Sequence, residues 1–216
     1  AWYCADMASG FRAQREIVQQ DWRPPVMRQY DASEVARLFP DYVRYEQCLI
    51  LLVHEGPAAR VDAEILAVES IIAKLGLNPA DAVAAEGWMG HRNNVPEWRD
   101  LLEQGLIADT IEVSGTWSQI DAIYDDVVAA LKTVPDCVNA SAHSSHVYRS
   151  GINLYFTFAC MPEDASVMGD RYLESWDRAL TATAEAGGGI AHHHGSGRLR
   201  RDYLCLLYTS DAADES

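Results

Sequence analysis

The clearest strand pattern in the chain is a nearly continuous apolar run. It consists of Glu46-Gln47-Cys48-Leu49-Ile50-Leu51-Leu52-Val53-His54 and is followed by Glu55-Gly56-Pro57. An apolar run of this length without polar alternation is typical of a strand covered on both faces. The sequence therefore predicts a central strand over residues 46–54.

An amphipathic helix is predicted directly after this strand. Apolar side chains recur at three- and four-residue spacings between Val61 and Leu75. Such spacing places them on one helical face. Pro57 suits the first turn of a helix, and Gly76 favours the left-handed backbone that ends one.

Helix and strand patterns alternate along the rest of the chain. Helix patterns cover residues 7–20, 120–131 and 165–186, and strand patterns cover residues 1–4, 26–30 and 110–113. Thr116 and Gln119 have the spacing of a capping box ahead of the second of these helices. Alternation of the two patterns predicts a chain with both a sheet and a helical layer.

Two strand patterns flank a short turn in the second half of the chain. Residues 138–148 and 152–159 lie on either side of Arg149-Ser150-Gly151. A short glycine-containing connection between strands predicts an antiparallel hairpin. Together with the helices, this hairpin predicts an α+β fold in which a mainly antiparallel sheet is covered by helices.

Composition restricts the function classes. The chain has 216 residues, 49% of them hydrophobic, which suits one domain with a substantial core better than two small ones. Its formal net charge of −15 disfavours binding to nucleic acid or to an anionic membrane surface. We therefore expect no nucleic-acid partner.

Cysteine usage and the absence of long apolar runs indicate the compartment. The five cysteines are widely spaced and form no Cys-x-x-Cys pair, which favours reduced, buried thiols. No apolar run approaches the ~20 residues of a membrane span, and the first residues do not resemble a signal peptide. These features predict a soluble, cytoplasmic protein.

Both ends of the chain differ from an ordinary domain. The sequence opens on Ala1-Trp2-Tyr3-Cys4 without an initiator methionine, and residues 205–216 lack sustained periodicity. We interpret residues 1–204 as one domain truncated at both ends. Residues 205–216 are interpreted as a non-native read-through tail.

The strongest functional pattern lies near the C terminus. It consists of Gly187-Gly188-Gly189-Ile190-Ala191-His192-His193-His194-Gly195-Ser196-Gly197-Arg198-Leu199-Arg200-Arg201. Imidazoles titrate near neutral pH, glycines allow close backbone approach, and guanidiniums bind carboxylate or phosphate. The segment therefore predicts a reaction-site loop that takes a small anionic ligand.

Five segments, in chain order, resemble the alkyldihydroxyacetonephosphate synthase family. These are FAD-linked oxidases related to vanillyl-alcohol oxidase. The matching segments are residues 24–31, 98–100, 109–117, 151–158 and 189–204, and the resemblance covers residues 1–204. It implies a ferredoxin-like cap domain that binds substrate over an FAD held mainly by a separate N-terminal domain.

The resemblance also implies site residues. Tyr155 matches a tyrosine that moves a proton at the reacting carbon, and a phenol in this role needs adjacent positive charge. His192, His193 and His194 match an essential triple. Arg99 matches an arginine on the substrate, and Arg28 matches a second arginine linked to activity.

The implied reaction exchanges the acyl group of acyl-dihydroxyacetone phosphate for a fatty alcohol, which belongs to ether lipid synthesis. The implied partners are therefore a phosphorylated ketone and a fatty alcohol. Peripheral membrane contact and a homodimer are allowed for the full-length protein. The isolated fragment is expected to be inactive.

Two other functions stay open. One is an FAD-linked oxidase or dehydrogenase of a 2-hydroxy acid such as D-lactate or glycolate, whose family typically has a metal-ligating histidine where Tyr155 stands. The other is an inert module that binds ligand without turnover. The tyrosine and the histidine triple favour the synthase.

Simpler structural roles compete with each predicted site residue. Consecutive side chains are expected to diverge, so no metal site is predicted at the histidine triple and one imidazole is expected to be structural. Tyr155 alone would suit a packed strand aromatic, and Arg99 could pair with Asp100 or Glu97. His143 and His146 are expected to be ordinary surface or capping residues. The glycine run could be a helix stop.

Overall fold

The computed structural model describes residues 1–94 and 96–208, with side chains up to residue 204. The chain divides into two compact units. Unit 1 consists of Ala1–Pro96 and Ser141–Ile152, and unit 2 consists of Glu97–Ala140 and Asn153–Ser216. Each unit is therefore assembled from two separate stretches of the chain.

Strands and helices alternate in the described residues. The strands are β1 (Trp2–Cys4), β2 (Val26–Tyr30), β3 (Cys48–Val53), β4 (Asn78–Pro79), β5 (Ile107–Thr116), β6 (Cys137–Ser144) and β7 (Gly151–Cys160). The helices are α1 (Met7–Gln19), α2 (Ala32–Leu38), α3 (Ala58–Lys74), α4 (Val83–His91), α5 (Trp98–Glu103), α6 (Ile120–Lys132), α7 (Met168–Glu185) and α8 (Gly197–Tyr208). The predicted α+β fold with a mainly antiparallel sheet is confirmed.

The sheet of unit 1 has the order β4-β1-β3-β2-β6. Its strands pair antiparallel, with Trp2 opposite Ile50 and Tyr30 opposite both Leu49 and His143. β3 lies between β1 and β2, and its first five residues are buried. The predicted central strand is thereby confirmed.

Helices cover both faces of the unit 1 sheet. Gln29 faces α1, where its side-chain amide bonds to Gln14 at 2.7 Å, and Gly10 leaves the space that this amide needs. The next residue, Tyr30, packs on the other face in a core with Val35 of α2. Neighbouring strand residues point to opposite faces, so β2 anchors both helical layers.

The helix predicted after β3 is also confirmed. α3 begins after Pro57 and ends at Lys74, and Gly76 has a φ of +73°. A side chain at this position would be strained, because L-residues rarely adopt the left-handed region. Gly76 therefore ends α3 as predicted.

Unit 2 contains strands in the order β6-β7-β5, with α6 and α7 buried against them. The inward side chains of β7 include Leu154 and Phe156, both fully buried, and the Phe156 ring stacks on Tyr124 of α6 at 6.5 Å. Alternation along β7 places Asn153 and Tyr155 on the opposite face. That face carries the predicted catalytic phenol.

Several local predictions need correction. β6 ends at Ser144, so the predicted hairpin has a longer connection than Arg149-Ser150-Gly151.

The predicted capping box at Thr116 and Gln119 forms only in part. The Gln119 side chain accepts from the Thr116 backbone N–H at 3.2 Å, but the Thr116 hydroxyl bonds to that same side chain at 2.7 Å, not to the Gln119 backbone.

The start of the predicted tail continues a helix. α8 extends through Tyr208, so residues 205–208 have helical backbone, while residues 209–216 lie outside the described residues. No helix in the described part of the chain is long and apolar enough to cross a membrane.

The cysteines with described side chains carry free thiols. Cys4, Cys48 and Cys160 are buried, as predicted, whereas Cys137 is partly exposed. The thiols of Cys4 and Cys48 lie opposite each other on β1 and β3.

Candidate functional site

The glycine run attaches the histidine segment to β5. Gly187 has a φ of +77° and follows the last turn of α7. Gly189 then exchanges two backbone hydrogen bonds with Ser114 of β5, at 2.7 and 2.8 Å. The run is therefore a helix stop and also a bridge that places residues 192–194 beside Glu112, two positions before Ser114.

Three imidazoles converge on the carboxylate of Glu112. The Nδ1 atoms of His193, His192 and His194 lie 2.9, 3.2 and 3.5 Å from its oxygens. The expectation that consecutive histidine side chains diverge is wrong here. Residues 192–194 form a bend instead of a strand or helix, so their rings turn to the same side.

Glu112 is the residue that sequence reasoning missed. Its side chain has no exposed surface, accepts a hydrogen bond from Asn153 Nδ2 at 2.7 Å, and accepts the backbone N–H groups of His193 and His194 at 3.2 and 3.4 Å. The available signal was a lone acid between the apolar Ile111 and Val113 of an alternating strand. Such an acid is more often a solvated residue.

Electrostatics keep this buried carboxylate charged. Burial alone would raise the pKa of Glu112, but the hydrogen bonds from Asn153 and the His193 backbone, and the charges of His194 and His193, outweigh it. The net result is a pKa below the usual range of a glutamate. The imidazoles therefore face a permanent negative charge at neutral pH.

The phenol of Tyr155 meets the outer ends of two of these imidazoles. Its oxygen lies 3.3 Å from His193 Nε2 and 3.4 Å from His194 Nε2. The side chains of these two histidines are 46% and 45% exposed, whereas His192 is 20% exposed. Phenol, imidazole and carboxylate thus form a chain that leads from an accessible surface to a buried charge.

A buried arginine supports the strand that carries Glu112. Arg200 of α8 donates to the backbone carbonyls of Glu112 at 3.1 Å and Gly195 at 3.0 Å, and its Cζ lies 4.9 Å from the Trp176 ring centroid. Burial lowers the pKa of this guanidinium. Arg200 is therefore a structural residue, and its guanidinium is not available to bind a ligand.

The other two arginines of the predicted loop do not join it. Arg201 pairs with Asp202 at 3.0 Å, and Arg198 is exposed. The three guanidiniums thus do not form one anion site. Only Arg200 has a fixed position beside the histidine segment.

The site has the donor atoms that a cation would need. Ligand atoms of Glu112, His192 and His193 lie within 4.8 Å of one another. Histidine nitrogens and a carboxylate are common zinc ligands. The prediction of no metal at the histidine triple therefore stays a prediction.

Of the two predicted substrate arginines, Arg99 belongs to unit 2 but has no contact with this cluster among the described residues, and Arg28 belongs to unit 1. Arg99 lies on α5, is exposed, and forms no ion pair with Asp100 or Glu97 among the described residues. Arg28 lies on β2 of unit 1, where it donates to the Tyr30 hydroxyl at 3.3 Å. Their roles on a substrate stay predictions.

The histidines at 143 and 146 also differ from expectation in part. His143 is half-buried, stacks on the Tyr30 ring at 5.2 Å and lies 3.6 Å from the Glu34 carboxylate. It is a packed residue of unit 1 and not a surface histidine. His146 is exposed and contacts the Ser145 hydroxyl at 2.9 Å.

Similarity to known proteins agrees with the geometry. A family model described as FAD linked oxidases, C-terminal domain, matches residues 1–215. The chain belongs to the FAD-linked oxidase family. Membership implies FAD as the cofactor and confirms the family resemblance.

Similar proteins include both an oxidoreductase and a synthase. YgcU of Escherichia coli K12, an FAD-linked oxidoreductase, is 32% identical over 222 residues, which is 95% of this chain and 45% of that protein. Alkyldihydroxyacetonephosphate synthase of Dictyostelium discoideum is 27% identical over 69% of this chain and 25% of that protein. The chain therefore spans less than half the length of these relatives.

Solved structures of FAD-linked oxidases share the fold. An alkyldihydroxyacetonephosphate synthase superposes with a TM-score of 0.70 at 22% identity. The match covers 99% of this chain and 42% of the synthase chain. A 4-ethylphenol oxidase from Gulosibacter chungangensis has a TM-score of 0.63 at 10% identity, over 99% of this chain and 50% of its own. At such identities the likeness shows the architecture alone.

Proposed function

We propose that the protein containing this chain is a flavin-dependent enzyme in which Tyr155 moves a proton at the substrate. The observation that carries the proposal is the chain of contacts from the Tyr155 hydroxyl through His193 to the buried Glu112 carboxylate. A phenol needs such a partner, because by itself it is a poor base near neutral pH.

The arrangement suits a cofactor placed at the accessible end of this chain. The Tyr155 oxygen and the Nε2 atoms of His193 and His194 lie on the side away from Glu112, and both imidazoles are nearly half exposed. FAD, when bound, supplies an electrophilic ring against which the substrate reacts. The residues named here would hold and orient the substrate carbon beside it.

The distances support a route for the proposed proton transfer. The phenolic proton passes from Tyr155 to His193 Nε2, and the imidazolium that forms is stabilised by Glu112, 2.9 Å from Nδ1. The phenolate would then accept a proton from the substrate carbon, so that its O–H bond forms as the C–H bond breaks. FAD, when bound, would supply the acceptor for the electron pair left by that C–H bond. Reversal of the same steps returns the proton to the product.

The reaction that we propose is the exchange of the acyl group of acyl-dihydroxyacetone phosphate for a fatty alcohol. Such an exchange needs a proton to be removed and later returned at one carbon, with no net redox change. Tyr155 and its imidazole partner provide a reversible proton carrier of this kind. Named relatives with this activity match 69% to 74% of the chain.

A second function is favoured by one comparison. The Escherichia coli relative at 32% identity is named as an oxidoreductase and covers more of this chain than the synthases do. In an oxidoreductase the same phenol–imidazole pair would accept the hydroxyl proton of an alcohol or a 2-hydroxy acid. The two functions share Tyr155 but differ in substrate and in redox outcome, because oxidation of the hydroxyl group would also require FAD to accept a hydride equivalent from the substrate.

Replacement of Tyr155 tests the shared step. In the flavin-loaded protein that contains this chain, we expect Tyr155→Phe to lower kcat by about 10²- to 10⁴-fold, because only the hydroxyl is lost. The flavin spectrum and thermal unfolding should stay unchanged. Tyr45→Phe is the matched control, since Tyr45 is 91% exposed. Full activity of the Tyr155 variant would reduce this residue to a packed aromatic.

Substrate assays then separate the two functions. We expect incorporation of a labelled fatty alcohol into an ether product, without oxidation of D-lactate or glycolate. We also expect His193→Gln to lose activity without release of stoichiometric zinc. One zinc bound per chain, with oxidation of a hydroxy acid, would favour the oxidoreductase over the synthase.

A further inference from the structure

Unit 1 contains a pocket lined by its own residues. Its volume is about 560 Å³, within the range of small-molecule sites. The pocket lies beside the face of β2 that carries Arg28 and Tyr30. Its other walls come from residues around α2 and from α4, including Phe39, Tyr42 and Trp88.

Two guanidiniums share one aromatic ring at this pocket. The Cζ atom of Arg28 lies 4.9 Å from the centroid of the Trp88 ring, and that of Arg92 lies 5.6 Å from it. Within residues 1–94 and 96–208, neither arginine has a carboxylate within 4.0 Å. The chain has 32 acidic and 17 basic residues, so carboxylates outnumber the cations that could pair with them. The lack of a carboxylate beside both arginines is therefore unexpected.

The remaining charges at the pocket do not cancel these cations. Asp41 is the acidic side chain among the described lining residues, while His91 and His143 add two imidazoles. The nearby Glu34 carboxylate is buried and is already engaged by Arg37 at 2.8 Å and by the Ser141 hydroxyl at 2.9 Å. The pocket therefore has a net positive lining in a strongly acidic protein.

The apolar part of the lining limits the ligand further. Phe39 and Tyr42 line the same pocket as the two arginines and, with the Trp88 ring, offer flat apolar surface. A free inorganic anion would leave this surface without a partner. An organic anion would bury its apolar part there and still reach the guanidiniums.

We infer that this pocket binds a small organic anion, with its phosphate or carboxylate at Arg28 and Arg92 and its apolar part on Trp88. Guanidinium forks bind both kinds of anion through paired hydrogen bonds. The inference rests on residues of unit 1 alone. Because Arg28 is also one of the two predicted substrate arginines, the inference deepens the proposed function and rests on it. Anion binding is measured without turnover, so its failure can be told apart from a failure of the proton transfer proposed for Tyr155.

Calorimetric titration of the 216-residue chain tests the ligand class. The probes are hexyl phosphate, hexanoate and neutral hexanol, which share one alkyl chain. We expect saturable 1:1 binding of at least one anion, at least about tenfold tighter than that of hexanol. The tighter of the two anions identifies phosphate or carboxylate as the preferred group. Equal binding of hexanol, or no saturable binding of either anion, would overturn the inference.

Arginine variants test the position of the site. We expect Arg28→Gln and Arg92→Gln each to weaken binding of the preferred anion by about tenfold or more. Arg44→Gln is the matched control, because Arg44 also lies over an aromatic ring, 5.3 Å from Tyr3, but does not line the pocket. Arg92 is exposed, so its variant should fold normally, as thermal unfolding will check. Unchanged affinity in both pocket variants would contradict the assignment.

Discussion

One carboxylate organises the histidine cluster at the scale of single residues. Glu112 receives the side chain of Asn153, two backbone N–H groups and three imidazoles that come from 80 to 82 positions later in the chain. Buried charges persist in proteins when such partners satisfy them. The histidines are therefore held in place by an acid that no local sequence pattern marks.

Removal of this charge should destabilise the fold in a pH-dependent way. We expect Glu112→Gln to lower the free energy of unfolding by about 1–3 kcal/mol at pH 7, because hydrogen bonds to a charged group are lost. The folded-state pKa of Glu112 is depressed. Its contribution is thus fully present above the unfolded-state pKa of about 4.3 and is lost as the pH falls through the folded-state value.

Urea unfolding at pH 7 and in acid measures this effect. The difference between wild type and Glu112→Gln should narrow as the pH falls below about 4. Glu69→Gln serves as the control, because Glu69 is exposed on α3. A difference of the same size at both pH values would show that the charge of Glu112 does not stabilise the fold.

A second residue-scale prediction concerns Cys137. A hydrogen bond from Cys160, with the charge of Lys132, lowers the pKa of the Cys137 thiol to about 7. Thiolate is the reactive form, so Cys137 should react with iodoacetamide at pH 7 before the buried Cys4, Cys48 and Cys160.

Mass spectrometry of partially alkylated protein, in a Cys205→Ser background, identifies the first site. Cys137→Ser should abolish the fast phase, and Lys132→Gln should slow it. Alkylation of Cys4 or Cys48 at the same rate as Cys137 would contradict the prediction.

At the scale of elements, periodicity predicted the long helices and missed the short helices α2 and α4. α1, α3, α6 and α7 each contain at least 13 residues and bury a repeating apolar face. α2 has seven residues and buries only Glu34 and Val35, so its sequence contains too few turns for a pattern. α4 contains two glycines and buries only Ala84.

The glycine run shows why local context was insufficient. Its composition predicted a reaction-site loop or a helix stop, and Gly187 does follow α7. The contact of Gly189 with Ser114 depends on a strand 75 positions earlier. Pairings of this kind are set by tertiary structure and leave no periodic signal.

Close packing at Gly188 gives an element-scale prediction. A Cβ atom there would lie 2.7 Å from Ile123 Cδ1 and 2.9 Å from Thr183 Cγ2, with the Thr183 carbonyl at 3.1 Å. We expect Gly188→Ala to destabilise the protein by about 1–3 kcal/mol, because the Ile123 and Thr183 side chains and the backbone at the Thr183 carbonyl must give way.

Thermal unfolding of two alanine variants measures this packing. Gly169→Ala is the control, since nothing lies within 4 Å of its added Cβ and the residue is helical. That variant should be neutral or more stable by up to about 1 kcal/mol. Equal melting temperatures for the two variants would refute close packing at Gly188.

At the scale of the whole molecule, the sequence was sufficient for the fold class and the family. Alternating strand and helix patterns predicted the α+β fold, and the ordered segments predicted an FAD-linked oxidase. The division into two units was not predicted. It passes through the middle of β6 and just after the start of β7, where no linker or change of composition marks a boundary.

Cofactor content is the prediction that belongs to this scale. The chain corresponds to 45% of the length of the Escherichia coli relative. We propose that FAD is held mainly by a separate flavin-binding domain, as the family resemblance implies. We expect the purified 216-residue chain to show no stoichiometric flavin absorbance, even after incubation with FAD and gel filtration. Retention of one FAD per chain would contradict this and would assign the main cofactor site to the chain itself.

The split composition of unit 1 has a consequence for synthesis on the ribosome. Asp31 Oδ2 accepts a hydrogen bond from the backbone N–H of Ala142 at 2.6 Å. The hydroxyl of Ser141 donates to Glu34, and the hydroxyl of Ser144 donates to the Gln14 side chain. Residues 141–144 leave the ribosome only after residues 97–140 have been synthesised, a delay on the order of 2–10 s at ordinary translation rates. The nascent N-terminal segment therefore cannot close its polar interior until the later hairpin arrives, and chaperone contact is most useful during that interval.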